Sequence, residues 1–209
     1  MTTNGANHHI TSREQLRELY GTPFPPSLYK ELGHINDHYR AMIELSPFVA
    51  LATTGPNGLD CSPRGDAPGF IRVKDANTLL LPDRPGNNRT DTLGNILDDP
   101  RVSLLFLIPG IGETLRVVGR AAISVDPELL ESFAVNGKPA RSVLVITVES
   151  VFFHCSKAIV RSKLWDPSRH LPRTALASTG TMVAELSKGA IAAEQYDRDA
   201  PARIQAMLY

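Results

Sequence analysis

The sequence is poor in cysteine. Cys61 and Cys155 are the only two, and no Cys-x-x-Cys occurs. Neither a zinc ribbon nor a thioredoxin-type dithiol can be built from them. Net charge is lacking as well, because 22 Lys and Arg balance 22 Asp and Glu. No general attraction to nucleic acid or anionic membrane follows, and neither partner is expected; an anion site must be assembled from positioned residues. No apolar run approaches the ~18 residues of a membrane span. Met1 to Ile10 has no apolar centre of the kind a signal peptide carries, so a cytoplasmic address is expected. His34 and His38 lie one helical turn apart, but no glutamate completes a zinc motif, and no metal is expected. Gly110-Ile111-Gly112 lacks the third glycine of a dinucleotide fingerprint. Cys155 and His154 are neighbours in a β-type run and would point to opposite faces, so they are not a nucleophile–base pair. No residue stands out as a catalytic acid or base.

What is present is an ordinary globular composition, 42% hydrophobic and 21% charged over 209 residues. That length suits one large domain with its own core. The first 45 residues read as helical. Ser12 is an N-cap with Gln15 three places on. After the prolines of 21–26, Ser27 opens a second helix on Leu28, Leu32, Ile35, Tyr39, Met42 and Ile43. Then the period changes. Phe48 to Thr53, the turn Gly55-Pro56-Asn57-Gly58 and Leu59 to Arg64 form a β-hairpin. Further strands are expected at 77–81, at 101–108 (apolar enough for burial on both faces), at 114–125 and at 142–154. Short helices are expected at 91–97, after Asp126-Pro127, and from Ser156 to Leu164, with a closing helix over 181–195. Antiparallel strands at irregular spacing exclude a doubly wound sheet and favour a barrel with helices outside it.

Three segments place cations beside glycine and small polar residues. In Cys61 to Phe70, Arg64 sits at a strand end with Asp66 two places on; its planar fork suits phosphate. An Arg64–Asp66 surface pair is the alternative. In Leu81 to Asp91, a glycine and the run Asn88-Arg89-Thr90 precede a helix start, with Thr92 inside it, an arrangement that suits an anion. In Phe153 to Trp165, a helix would put Lys157, Arg161 and Trp165 on one face, two cations beside the single tryptophan.

The order of these segments resembles the pyridoxamine 5′-phosphate oxidase-like FMN-binding split barrels. The hairpin leading to Ser62-Pro63-Arg64-Gly65-Asp66 carries the likeness, with the polar Arg/Asn/Thr loop, the helix ending Asn95-Ile96-Leu97-Asp98-Asp99-Pro100-Arg101-Val102, and the strand Thr114 to Ala121. The resemblance implies a mainly β, α+β fold: an antiparallel split β-barrel over 46–166, a helical segment over 1–45, and a C-terminal loop and helix over 167–209. It implies FMN as cofactor, a homodimer with flavin sites at the interface, and a small-molecule substrate. Arg64, Asp66, Asn88, Arg89, Thr90 and Thr92 would hold phosphate and ribityl chain; Arg116, Lys157 and Trp165 would lie toward the ring. The activity implied is an FMN-dependent oxidoreductase; a flavin- or haem-holding protein without turnover is the alternative. Where the vitamin B6 oxidase has Arg-x-Val-Leu-Leu-Lys, this chain reads Arg64-Gly65-Asp66-Ala67-Pro68-Gly69, so the lysine is missing.

Overall fold

The computed structural model describes residues 8–209. The polar stretch at 1–7, part of the segment judged not to be a signal peptide, lies outside them. The chain divides into two units, one ending at Glu31 and one from Leu32 to Tyr209. The expected boundaries at 45/46 and 166/167 do not mark that division.

In the first unit, α1 spans Arg13–Tyr20 and a 3-10 turn spans Pro25–Ser27. Ser12 caps α1 through a full capping box: its Oγ accepts from the Gln15 amide, and Gln15 Oε1 accepts from the Ser12 amide.

The second unit carries, among the described residues, seven strands in one antiparallel sheet. They are β1 Phe48–Gly55, β2 Gly58–Gly65, β3 Arg72–Asp75, β4 Thr78–Asp83, β5 Arg101–Leu107, β6 Thr114–Ser124 and β7 Ser142–His154. The order is β2-β1-β5-β6-β7-β4-β3. Around the sheet lie α2 Asp37–Leu45, α3 Asp91–Asp98, α4 Pro127–Ser132, α5 Lys157–Ser162, α6 Thr179–Leu186 and α7 Ala193–Met207. Alternate positions of the neighbouring strands β1, β5, β6 and β7 make the core: Val49 and Leu51, Leu104 and Phe106, Leu115 and Val117, Leu144 and Ile146, capped by Tyr39 and Ile43 of α2. A smaller cluster of Leu80, Phe133, Ala140 and Val143 packs with Leu129 and Leu130 of α4.

The sheet is curled. β2 and β4 are not neighbours, being separated by four strands. Yet Arg64 Nε at the end of β2 comes within 3.9 Å of Asp83 Oδ1 at the end of β4. A flat sheet would hold strands so far apart in the order more than 20 Å from each other at ~4.8 Å per step. The fold is therefore an antiparallel split barrel, and the split runs between these two strand ends.

Several sequence expectations need correction. The helix expected from Ser27 begins only at Asp37, where the Asn36 side chain accepts from the Tyr39 amide. Leu32 instead exchanges two backbone hydrogen bonds with Val151 of β7, because an available strand satisfies its backbone better than an isolated helical turn. β3 has no counterpart among the strands expected from the sequence. Three of its four residues are charged, with Val73 the one apolar position, and they become a strand only by pairing with β4. β5 is buried on one face only, since Arg101 and Leu105 are exposed. The segment expected as one helix over 181–195 is two, α6 and α7, with Lys188 and Gly189 in the left-handed region between them.

Candidate functional site

A cavity of about 530 Å³ opens in the split. The end of β2 supplies Arg64 and the residue after Gly65 supplies Asp66, the end of β4 supplies Asp83, the start of β7 supplies Ser142, and α3 supplies Thr92. The loop from Arg84 to Thr90 forms one wall, and Arg141 another. Four arginines thus face two aspartates around one space.

The arginines are not equally committed. Arg84 donates to Asp66 Oδ2 at 3.3 Å and to the Phe133 carbonyl at 2.8 Å, so it is a structural clamp. Arg141 Nη1 donates to Asn88 Oδ1 at 2.8 Å and holds that loop residue, whose φ of 59° lies in the left-handed region. Arg89 bonds Asp91 at 2.8 Å, but both side chains are mostly exposed and the pair is easily exchanged. Arg64 donates to its neighbour's carbonyl, Pro63 O, at 2.9 Å and reaches Asp83 only at 3.9 Å. No carboxylate lies within hydrogen-bond distance of its fork, which leaves it, with Arg89, available to an incoming anion.

The carboxylates differ too. Asp66 accepts from Arg84, from the Ala67 amide at 2.8 Å and from the Tyr209 hydroxyl at 2.7 Å. Those bonds occupy it; the same contact pushes the Tyr209 hydroxyl above its ordinary value. Asp83 is pushed up by burial, against the pull of Arg64 and Arg141. Its protonated form is therefore favoured by folding. The resulting stability is full below the ordinary value of 3.8 and is lost as pH rises through the raised value. We expect the stability of the wild type relative to Asp83→Asn to grow as pH falls from 7 to 4, read from urea midpoints. A pH-independent difference would contradict the burial argument.

Of the sequence-predicted residues, Arg64, Asp66, Asn88, Arg89, Thr90 and Thr92 all line this cavity. Thr92 is only 4% exposed, and its hydroxyl already serves Asp60 Oδ2 at 3.1 Å and Ser62 at 3.3 Å. Thr90 makes no side-chain cap to α3, so the first amides of that helix are left without an Oγ acceptor from it. Arg116, Lys157 and Trp165 are not brought to the cavity. Arg116 is in register with Leu105 and Phe152, toward the far end of β6 from Ile123, which lines the cavity about 23 Å away at ~3.3 Å per residue. It stacks on Phe152 at 4.0 Å, and its buried Nε has no partner among the described residues. The common face of Lys157, Arg161 and Trp165 does not form. α5 stops at Ser162 because Lys163 adopts a left-handed φ of 52° and donates back to Val160. Trp165 lies beyond it and donates from Nε1 to the Ile111 carbonyl at 2.8 Å.

Arg84, Asp83, Arg141 and Ser142 were missed. Asp83 and Arg84 stood inside a segment singled out for its other residues, and nothing near 141–142 signalled a site. Only the pairing of β4 with β7, which sets Asp83 opposite Ser142, brings them in.

The model of the pyridoxamine 5′-phosphate oxidase family matches residues 35–155, more than half of the chain. The chain belongs to that family. Its fold and site are those of a split barrel with a cationic cavity at the barrel's opening. Among solved structures, HupZ of Group A Streptococcus aligns with a TM-score of 0.49 and 21% identity, over 58% of this chain and 95% of that one. A Lactobacillus delbrueckii protein named for pyridoxamine 5′-phosphate oxidase gives 0.47 and 21%, over 59% and 98%. A pyridoxamine 5′-phosphate oxidase-related, FMN binding protein of Nostoc punctiforme gives 0.40 and 16%, over 56% and 78%. No curated protein matches the chain. Among the described residues, no helix is long and apolar enough to cross a membrane.

Proposed function

We propose that the protein binds FMN in the split cavity and acts as an FMN-dependent oxidoreductase on a small molecule. The observation that carries this reading is the cavity itself, in which two incompletely satisfied arginines, Arg64 and Arg89, meet the Gly86–Thr90 loop. The donor set fits a phosphate monoester: planar guanidinium forks for two oxygens each, a glycine-containing loop for close approach, and uncapped helix amides. Bound flavin would supply the hydride or electron transfer. The protein's own residues bind and orient. Arg64 exchanges its long contact to Asp83 for the ligand, and Arg141 keeps Asn88 in place.

We further propose a two-fold dimer. One end of the outward face of β1 and β5 is apolar, with Phe48 and Leu105 exposed and Arg116 in register beside Leu105. Pairing through that face would cover it and give Arg116 new neighbours.

The test uses one purified sample. FMN titration should quench flavin fluorescence with an affinity well above that for riboflavin, which lacks the phosphate, and light scattering should give twice the chain mass. Equal affinity for the two flavins would remove the phosphate site. With FMN bound, consumption of a nicotinamide reductant upon adding an acceptor separates an enzyme from a flavin holder.

A further inference from the structure

Tyr209 is far in sequence from the split cavity, yet it holds one of its walls. Its hydroxyl donates to Asp66 Oδ1 at 2.7 Å, its ring centroid lies 5.5 Å from the Arg84 guanidinium, and its carbonyl accepts from Lys138 Nζ at 2.7 Å. Asp66 in turn holds Arg84 through its other oxygen, and Arg84 holds the Phe133 carbonyl. Asp66, Arg84 and residues 85–87 line the split cavity on one side and a second cavity of about 510 Å³ on the other, so they form a partition. The far side of the second cavity is the end of α7, with Ile204, Met207 and Leu208. A gap therefore separates this part of α7 from the partition, and Tyr209 bridges it. The helix itself is weakly held. None of the α7 residues is buried, and Pro201 in its interior has no amide hydrogen for the helical ladder. Its first half is tied to α6, where the Gly180 amide donates to Asp197 Oδ1 at 2.7 Å. The half after Pro201 gains the barrel through Tyr209. Segments with few buried contacts open locally at small cost.

We propose that Tyr209 is a positioning residue for the split cavity: through Asp66 and Arg84 it sets the partition, so that ligand in the cavity and attachment of the α7 end favour one another. This rests on the FMN reading above and adds to it a coupled segment of the chain. Tyr209 does not line the split cavity, so it acts through the two residues that do. The coupling is reciprocal, as any equilibrium linkage must be. If an attached α7 end tightens FMN binding, bound FMN holds the α7 end attached by the same factor.

The test measures both sides of that linkage in the full chain, with FMN as the probe. Tyr209→Phe keeps the ring beside Arg84 and removes only the bond to Asp66. Its dissociation constant for FMN should rise about fivefold, at the low end of usual coupling between sites. In the wild type, saturating FMN should slow amide hydrogen exchange over residues 202–209 by that same factor. In Tyr209→Phe these amides should exchange rapidly with or without FMN. Lys138→Ala, which releases the Tyr209 carbonyl and spares the hydroxyl, should shift both readings in the same direction. A purely structural tyrosine would lower the melting temperature of Tyr209→Phe and leave FMN affinity and the FMN-dependent exchange as they are in the wild type. That result would overturn the inference and leave the FMN site standing, and so would wild-type exchange over 202–209 that ignores bound FMN. A wild type that binds no FMN would overturn the FMN reading, and this inference with it.

Discussion

Arg64→Ala should raise the dissociation constant for FMN about 10- to 100-fold and leave that for riboflavin nearly unchanged. A hydrogen bond to a charged group contributes about 1.5–3 kcal/mol, and each 1.4 kcal/mol is about a factor of ten. The effect falls on the phosphate because the internal commitments of Arg64 are weak, a neighbouring carbonyl and a 3.9 Å contact to Asp83. Arg84→Ala offers the contrast. That side chain clamps Asp66 and the Phe133 carbonyl, so its loss should lower stability and weaken both flavins alike. Arg64→Lys should recover part of the FMN affinity, since a point charge replaces a fork. A loss of riboflavin and FMN affinity in parallel for Arg64→Ala would show that the residue supports the loop and does not contact phosphate.

The largest effect on stability is expected at Gly119, in the middle of β6. The register with β7 shifts between Val118 and Gly119, and a methyl group placed on Gly119 would penetrate the Thr147 carbonyl oxygen, with the Val148 Cα at 3.3 Å. These are backbone atoms of a buried strand and cannot swing aside. Gly119→Ala should therefore lower unfolding free energy by about 3 kcal/mol or more, as overpacking against an immovable neighbour does. Gly94 in α3 is the control: a methyl there meets nothing within 4 Å, so Gly94→Ala should stabilise by about 0.5–1 kcal/mol. Chemical denaturation reads both. A neutral Gly119→Ala would mean that β6 and β7 do not pair in this register.

The legibility of the chain followed the range of the interactions. Helix starts set by one side chain and a nearby amide were readable: Ser12 caps α1 and Asp126 caps α4 as their spacing predicted. The β1–β2 hairpin was readable for the same reason, because Gly55 to Gly58 closes it locally. Errors arose where a local preference was marginal and a distant partner decided. Leu32 has helical spacing to Ile35 and Tyr39, yet it pairs with Val151. β3 has no pattern of its own and exists through β4. α5 ends at Lys163, a residue that gives no warning of a left-handed conformation.

The candidate site divides in the same way. The amino-acid sequence by itself determined the residue types and their loops: Arg64 at a strand end, Asn88-Arg89-Thr90 before a helix, and an order of segments that resembles one family, whose model matches residues 35–155. Only the tertiary structure decided which of these share a space. The curl of the sheet closes β2 onto β4 and so unites residues about 20 to 80 positions apart, while the length of β6 carries Arg116 away from them. It also decided which side chains are already occupied. Asp66 and Arg84 are bound to each other, Thr92 to Asp60, and Ser142 to nothing among the described residues. Hydrogen-bond satisfaction is a property of packed neighbours, and composition and spacing carry no record of it.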